Sequence, residues 1–321
     1  VLTSKSNSQR GENTMTLDNI LEEIKKAKSI VILTHENPDG DAVGSSLAMY
    51  GALQQLGKEN VDVVIPEYPR TYRFLPNVDK VLKEGTMQNY DLAIAVDSAT
   101  IKMLNGWANY FENAKVKISI DHHSTNTMYG DINFVNPDSP ACTQILLTIF
   151  EYFGIEITEN IGKCILTGII TDTGGFQYQS TRPETFEFAA RLLKSGINVS
   201  EIYKKAMNTK TRANFELRKR AIDRMEFLED GKISFTYINL KDIEEVHATS
   251  DDHEGIVDEG RCIEGVEVSI FLRETEKGYK VSLRSNEYVN VSDICLIFGG
   301  GGHVHAAGCN VNMTVEQAKE K

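Results

Sequence analysis

His35-Glu36-Asn37-Pro38-Asp39-Gly40-Asp41 is the stretch on which the reading of this chain turns. It follows the apolar run Ile30-Val31-Ile32-Leu33 and precedes a helix-like pattern from Ala42 to Leu56 that Gly57 closes. A run rich in β-branched residues that ends in a Pro/Gly loop reads as a buried strand. One imidazole and two carboxylates therefore stand in the turn at the carboxyl end of a strand, where open α/β sheets bind their ligands. Asp39 and Asp41, two apart, aim to the same side of an extended segment. Pro38 fixes φ, and Gly40 lets the backbone bend between them. Asn-Pro and Asp-Gly are also ordinary turn dipeptides, so an unremarkable polar turn would account for this stretch if it stood alone.

It does not stand alone. The run Asp91 to Val96 ends on Asp97, and Lys115 to Ile120 ends on Asp121-His122-His123. Ile165 to Ile170 is apolar again and ends on Thr171-Asp172; its Gly and Thr content leaves strand and helix both open. Four apolar segments thus end on metal-capable residues. Two imidazoles with several carboxylates suit Mn²⁺ or a divalent cation of similar hardness. The set is too large for one ion and right for two with one carboxylate bridging, and two ions ~3.5–4 Å apart can hold a phosphoester and lower the pKa of water.

Around this set, strands alternate with helical patterns. A first helix is expected over Thr16–Ala27, a second strand over Val61–Ile65, and a helix from Pro183 to Ser195 with Gly196 as stop. Such alternation implies a doubly wound, mainly parallel α/β sheet. Helical patterns continue over 200–207 and 211–228, the latter so charged that it reads as a connection between domains. After Gly231 the character turns to strands at 233–238, 266–272 and 279–283, which marks a second, smaller α/β domain. The expected division is a tag or disordered leader over 1–14 with Met15 as the candidate native start, a first domain over 15–205, a helical linker over 206–228, and a second domain over 229–321.

Composition narrows the function. Lys plus Arg total 34 against 46 Asp plus Glu, a formal charge of −12. A chain this acidic is ill suited to coating long DNA or RNA, which takes a basic face, yet bound cations at clustered carboxylates still admit small anions. Five cysteines, scattered and without Cys-x-x-Cys spacing, argue against a disulfide framework or structural zinc and fit a reducing cytoplasm. No run approaches the ~18 apolar residues of a membrane span, and no secretory signal opens the chain.

The series His35-x-x-x-Asp39-x-Asp41, Asp97, Asp121-His122-His123 and Asp172 resembles the motifs of the DHH phosphoesterase superfamily. Gly299-Gly300-Gly301-Gly302-His303-Val304-His305-Ala306-Ala307-Gly308 is similar to the Gly-rich signature of the DHH-associated C-terminal domain. The resemblance runs from about Met15 to the end, and by size and motif it is nearest the stand-alone nanoRNase/pAp phosphatase group. It implies His35 and Asp39 on one ion, Asp41, His122 and Asp172 on the other, and Asp97 between them. Asp121 would orient a ligand, and His123 would face the scissile phosphate.

In the second domain the resemblance implies substrate contacts from Arg284, Ser285, Gly300, Gly301, Gly302 and His303, the glycines forming a loop whose N–H groups cradle an anion. His305 is left without a role. The implied activity is hydrolysis of short oligoribonucleotides and 3′-phosphoadenosine 5′-phosphate (pAp) with two divalent cations, Mn²⁺ before Mg²⁺. Two other readings stand: a phosphodiesterase of cyclic di-AMP or linear pApA, and a non-catalytic phosphoester sensor. The expected partners are short RNA or a small nucleotide, with neither long nucleic acid nor membrane, and a homodimer is left open.

Overall fold

The computed structural model describes residues 7–321, without the side chains of 7–14 and 303. Of the leader expected over 1–14, residues 1–6 lie outside the described residues, and 7–14 are helical backbone. The chain forms two units, Val1–Thr209 and Lys210–Lys321.

The first unit opens with α1 (Asn7–Lys26), β1 (Ile30–Leu33), α2 (Gly40–Gln55), β2 (Val61–Val64), β3 (Val81–Leu82) and β4 (Leu92–Val96). It continues with α3 (Ala108–Glu112), β5 (Val116–Asp121), β6 (Ile132–Val135), α4 (Cys142–Tyr152), α5 (Glu159–Asp172), α6 (Pro183–Leu193) and α7 (Val199–Ile202). Its six strands lie in the order β3-β2-β1-β4-β5-β6, every pair parallel. All residues of β1 and β4 are buried, and they alternate between two cores. Ile30, Ile32, Ile94 and Val96 face one; Val31, Leu33, Ala93 and Ala95 face the other. This is why both strands read as unbroken apolar runs. The strand order reverses between β1 and β4, so the crevice beyond their carboxyl ends is the topological switch point.

The apolar run 165–170, ambiguous in sequence, is helix: α5 carries Asp172 at its carboxyl end. α5 packs tightly on α2 because glycines stand where the two meet. A Cβ on Gly44 would come within 2.6 Å of the Cys164 carbonyl, and one on Gly168 within 2.4 Å of an Asp41 carboxylate oxygen. That close approach brings Asp41 and Asp172 together.

The second unit comprises α8 (Arg212–Asp223), β7 (Glu226–Leu228), β8 (Ile233–Ile238), α9 (Leu240–Glu245), α10 (Val257–Arg261) and β9 (Val268–Thr275). β10 (Gly278–Ser285), α11 (Val291–Ile297), β11 (Gly301–His303), β12 (Ala306–Val311) and α12 (Val315–Glu320) complete it. Its sheet runs β11-β12-β10-β9-β8-β7, antiparallel except for β8 with β9. The linker expected over 206–228 is not a solvated connection. Leu217 and Ala221 of α8 pack with Ile238, Ile256 and Phe271, and residues 226–228 form an edge strand. Two of the charges that suggested a solvated helix face are held in place instead: Arg220 and Arg224 both bind the buried Asp242 carboxylate.

The α2–α5 contact can be tested by overpacking it. Gly44→Ala should lower unfolding stability by about 1–3 kcal/mol, since backbone rather than a flexible side chain meets the new methyl. Gly106→Ala, whose methyl meets nothing within 4 Å, should stay within about 0.5 kcal/mol. Equal urea midpoints for both variants would show that the helices have slack.

Candidate metal centre and active site

Glu36, Asp39 and Asp41 anchor the His35–Asp41 turn. Asp39 caps α2, its Oδ1 accepting the N–H groups of Asp41 and Ala42 at 3.0 Å each. Glu36 donates its N–H to the Met103 carbonyl at 2.9 Å and accepts from the Asn105 side chain, which ties the turn to the segment after β4. Asp41 is fully buried. Its Oδ1 accepts from the Thr143 N–H at 2.9 Å and the Thr143 hydroxyl at 2.6 Å, and its Oδ2 from the Cys142 N–H at 2.5 Å. The amino end of α4 thus grips one side of this carboxylate.

Asp97 ends β4 in the left-handed region, at φ 53°. A non-glycine residue held there beside other functional groups is a mark of a constrained site. It is 2% exposed, and its Oδ1 has no hydrogen-bond partner although His122 Nε2 lies 3.3 Å away. His122 Nε2 is also 3.3 Å from Asp172 Oδ2 and 3.9 Å from Asp41 Oδ2, while its Nδ1 faces the Ser139 carbonyl at 3.3 Å. That carbonyl accepts a hydrogen bond from the Nδ1–H and turns Nε2 toward the carboxylates.

These side chains fall into groups whose ligand atoms lie within 4.8 Å of one another. His35, Asp39 and Asp97 form one; Asp41, His122 and Asp172 form a second; Asp97, Asp121, His122 and His123 form a third. Both oxygens of Asp121, like those of Asp41, accept from protein groups, and one of its partners is an imidazole of the cluster. Oδ1 accepts from the His122 N–H at 2.8 Å and pairs with His123 Nδ1 at 2.7 Å, and Oδ2 accepts from Asn126 at 2.7 Å.

The electrostatics match a cation. Burial pushes the Asp41 and Asp172 carboxyls up, and carboxylate neighbours add to the push. For Asp97 burial works upward too, but the imidazole of His122, with His35 and His123 beyond, outweighs it and holds the carboxyl below its usual range. His122 is the converse: burial disfavours its charge, and Asp97, Asp172 and Asp41 overcome that and raise it well above the ordinary imidazole value. His123 is also raised, with burial opposed by the Asp121 bond and the field of Asp97. Two buried carboxylates and the half-buried Asp172 around one imidazole edge, one oxygen without a partner, and mixed N/O donors fit a divalent cation of intermediate hardness.

In the second unit the expected substrate residues do not all face outward. The Ser285 hydroxyl is buried. It donates to the Val289 carbonyl at 2.6 Å and so accepts from His305 Nδ1 at 2.9 Å. Ser285 is therefore a support for His305 rather than a substrate contact. The Gly-rich stretch is not a free loop, since Gly301–His303 pair with β12. A Cβ on Gly300 would meet the Gly308 carbonyl at 2.2 Å, and the Gly300 N–H is already spent on the Cys295 carbonyl at 2.8 Å. Its glycine is thus explained by close strand packing, not by anion binding. Arg284 bonds the Leu283 carbonyl at 3.0 Å and lies 4.0 Å from Asp258. The side chain of His303 lies outside the described residues.

Sequence reasoning passed over Thr143, Ser139 and Asn126. Asn126, three positions past the paired histidines, was the most accessible of them: its Oδ1 accepts the Met128 N–H at 2.7 Å, an Asx turn that the sequence pattern allows. Thr143 and Asp41 are too distant in sequence for any local pattern to link them.

A sheet with this switch point and this donor set defines a phosphoesterase of the DHH class, with a second domain of the associated type. Residues 29–169 match the family model described as DHH family, N-terminal domain, and residues 232–321 match the DHHA1 domain. The chain belongs to the DHH family. It is 36% identical, over 91% of its length and 87% of the relative's, to the bifunctional oligoribonuclease and PAP phosphatase NrnA of Thermus thermophilus. A more distant relative, the cyclic-di-AMP phosphodiesterase PdeA of Listeria monocytogenes, is 24% identical over 93% of this chain but 47% of its own. Among solved structures, an exopolyphosphatase-related protein from Bacteroides fragilis superposes with a TM-score of 0.90 at 28% identity, covering 96% of this chain and 94% of that one.

The raised His122 value has a consequence for metal affinity. Near neutral pH the metal-free imidazole holds a proton that a cation must displace, so affinity should rise with pH. Calorimetry in two buffers of different ionisation enthalpy should show about one or more protons released per protein on Mn²⁺ binding at pH 7. Affinity independent of pH, with no proton release, would contradict the assigned electrostatics.

Proposed function

We propose that this protein hydrolyses phosphoester bonds in very short oligoribonucleotides and in pAp, and that it does so at the ligand cluster of its first unit. The observation that carries the reading is the pair of three-residue groups, His35/Asp39/Asp97 and Asp41/His122/Asp172, joined by His122 standing 3.3 Å from Asp97. Two divalent cations, Mn²⁺ ahead of Mg²⁺, would be held by these groups with Asp97 shared. When bound, such ions neutralise charge on a phosphoester and activate water.

The chain's own residues do the rest. The Ser139 carbonyl faces Nδ1 of His122, and Asp121, braced by Asn126, holds His123 by Nδ1. With its raised value, His123 can keep a proton at Nε2 and deliver it to the oxygen that departs as the phosphorus–oxygen bond breaks. Asp41 and Asp172, packed beside Asp97, keep the cluster selective for a cation. In the second unit, Arg284 with the edge strand Gly301–His303 and the His305 imidazole would hold an anionic substrate group.

The likeness to NrnA over most of both chains supports the short-RNA and pAp activity, and the smaller share of PdeA that aligns makes cyclic di-AMP the second candidate. Net charge points the same way. At −12 the chain lacks the charge excess that tracks a long strand, so binding energy should saturate within a few nucleotides. Among the described residues, no helix is long and apolar enough to cross a membrane.

Asp97→Asn should lower turnover by more than about 100-fold, since both ion sites lose a ligand together; activity near wild type would remove the shared-carboxylate arrangement. On a panel of pAp, pApA, cyclic di-AMP and RNA of two to twenty nucleotides, pAp and RNA of about two to five residues should be hydrolysed best, with a shallow salt dependence. Preference for twenty-mers with a steep salt slope would overturn the assignment. Arg284→Ala should impair nucleotides and spare bis-p-nitrophenyl phosphate, and equal losses on both would place Arg284 in folding instead.

A further inference from the structure

The carboxyl end of α5 does more than deliver Asp172. The next residues wind through the left-handed region three times in succession: Gly174 at φ 57°, Gly175 at 73° and Phe176 at 69°. Glycine takes this conformation freely, but for a bulky phenylalanine it is an outlier that persists only where surroundings fix it. Here the Phe176 N–H donates to the Thr173 hydroxyl at 2.9 Å, and the N–H groups of Gln177 and Tyr178 converge on the Thr173 carbonyl at 2.9 and 3.0 Å.

The strained turn aims the Phe176 ring onto Phe186 of α6. The two rings are stacked, with centroids 5.1 Å apart and planes at 23°. Phe176 packs inward against the core, while Phe186 is 55% exposed. Closing the core would take any apolar side chain at 186 and would not leave a flat ring with one face in water. Tyr178, 45% exposed, lies over Gly174, where a Cβ would come within 2.5 Å of its ring.

The same surface is linked to the ligand cluster from two sides. Phe176 follows Asp172 within one short turn. Arg182, which begins α6 one turn before Phe186, binds Asp138 at 3.1 Å, and Asp138 adjoins Ser139, whose carbonyl faces His122. A flat aromatic face stacked on a ring that packs against the core, four residues along the chain from Asp172, has the chemistry of a base-stacking surface.

We propose that Phe186, backed by Phe176, stacks a nucleobase of the substrate whose phosphoester lies at the ligand cluster. This deepens the nucleotide-hydrolase reading and rests on it. It adds a subsite in the first unit that recognises the base, where the ligand set recognises only the phosphoester. Stacking is tolerant of base identity, because every base has a π-face. The subsite would therefore separate nucleotides from phosphoesters without a base, not adenine from other bases.

The test compares wild type with Phe186→Ala, Phe186→Leu and Phe186→Trp. Substrates are pApA and its two counterparts in which one nucleotide is abasic. Phe186→Ala and Phe186→Leu should raise KM for pApA about tenfold with kcat within about twofold, and Phe186→Trp should restore it. One of the two abasic dinucleotides should already show the raised KM with wild type, and the substitutions should not raise it further. Unchanged KM in Phe186→Ala, or equal losses on both abasic substrates, would overturn the proposal. A second measurement stands apart from turnover: calorimetric binding of adenosine 5′-monophosphate and ribose 5-phosphate to the metal-loaded protein. Wild type should prefer the nucleotide, and Phe186→Ala should abolish that preference. If pApA is not hydrolysed at all, the functional reading fails, while a Phe186-dependent preference for the nucleotide keeps the stacking surface. Without that preference the surface falls too.

Discussion

Crowding of the Asp41, Asp97 and Asp172 carboxylates around one edge of His122 is the constraint that organises the first unit. Like charges buried together are unfavourable unless a positive charge joins them. The protein reaches this arrangement by converging its strongest elements on one point. β1 and β4, buried on both faces, meet where the sheet order reverses, and their carboxyl ends present His35, Asp39 and Asp97. α2 and α5, drawn close by Gly44 and Gly168, add Asp41 and Asp172. The cluster is held by the rigid parts of the fold, so a bound cation finds its donors already placed. The cost of assembling them is met when the chain folds.

The supports around the cluster follow one pattern: each occupies one side of a polar group in it or beside it. Thr143 and Cys142 saturate the outer side of Asp41, Ser139 occupies Nδ1 of His122, and Asn126 with Asp121 occupies Nδ1 of His123. In the second unit, Ser285 does the same to His305. Truncating such a support would free a side chain to rotate away from its task without removing any donor.

How much of this was legible in the sequence follows from the range of each interaction. Strand ends were readable because two-sided burial writes itself as an unbroken β-branched run, and the residue that ends the run is then conspicuous. Asp172 was readable as a metal-capable end but not as the end of a helix rather than a strand, because glycines such as Gly168, needed for close packing, blur the helical period of α5. The charged segment over 211–228 misled for a related reason. Its arginines look solvated in sequence, but Arg220 and Arg224 reach the buried Asp242 of α9, which no local pattern connects to them. The glycines at 299–302 read as an anion cradle. Two of them, Gly300 and Gly302, serve the close approach of this segment to β12, and a sequence does not distinguish these two uses of a missing Cβ. The Asp41–Thr143 contact has no sequence signature of any kind.

Placement of the cations decides the central claim most directly. Crystals grown with Mn²⁺ and measured on both sides of the manganese absorption edge would locate each ion by its anomalous signal. The account predicts two peaks in the first unit, one among His35, Asp39 and Asp97 and the other among Asp41, His122 and Asp172, with the Asp97 carboxylate touching both. A single peak, or manganese bound away from Asp97, would contradict it.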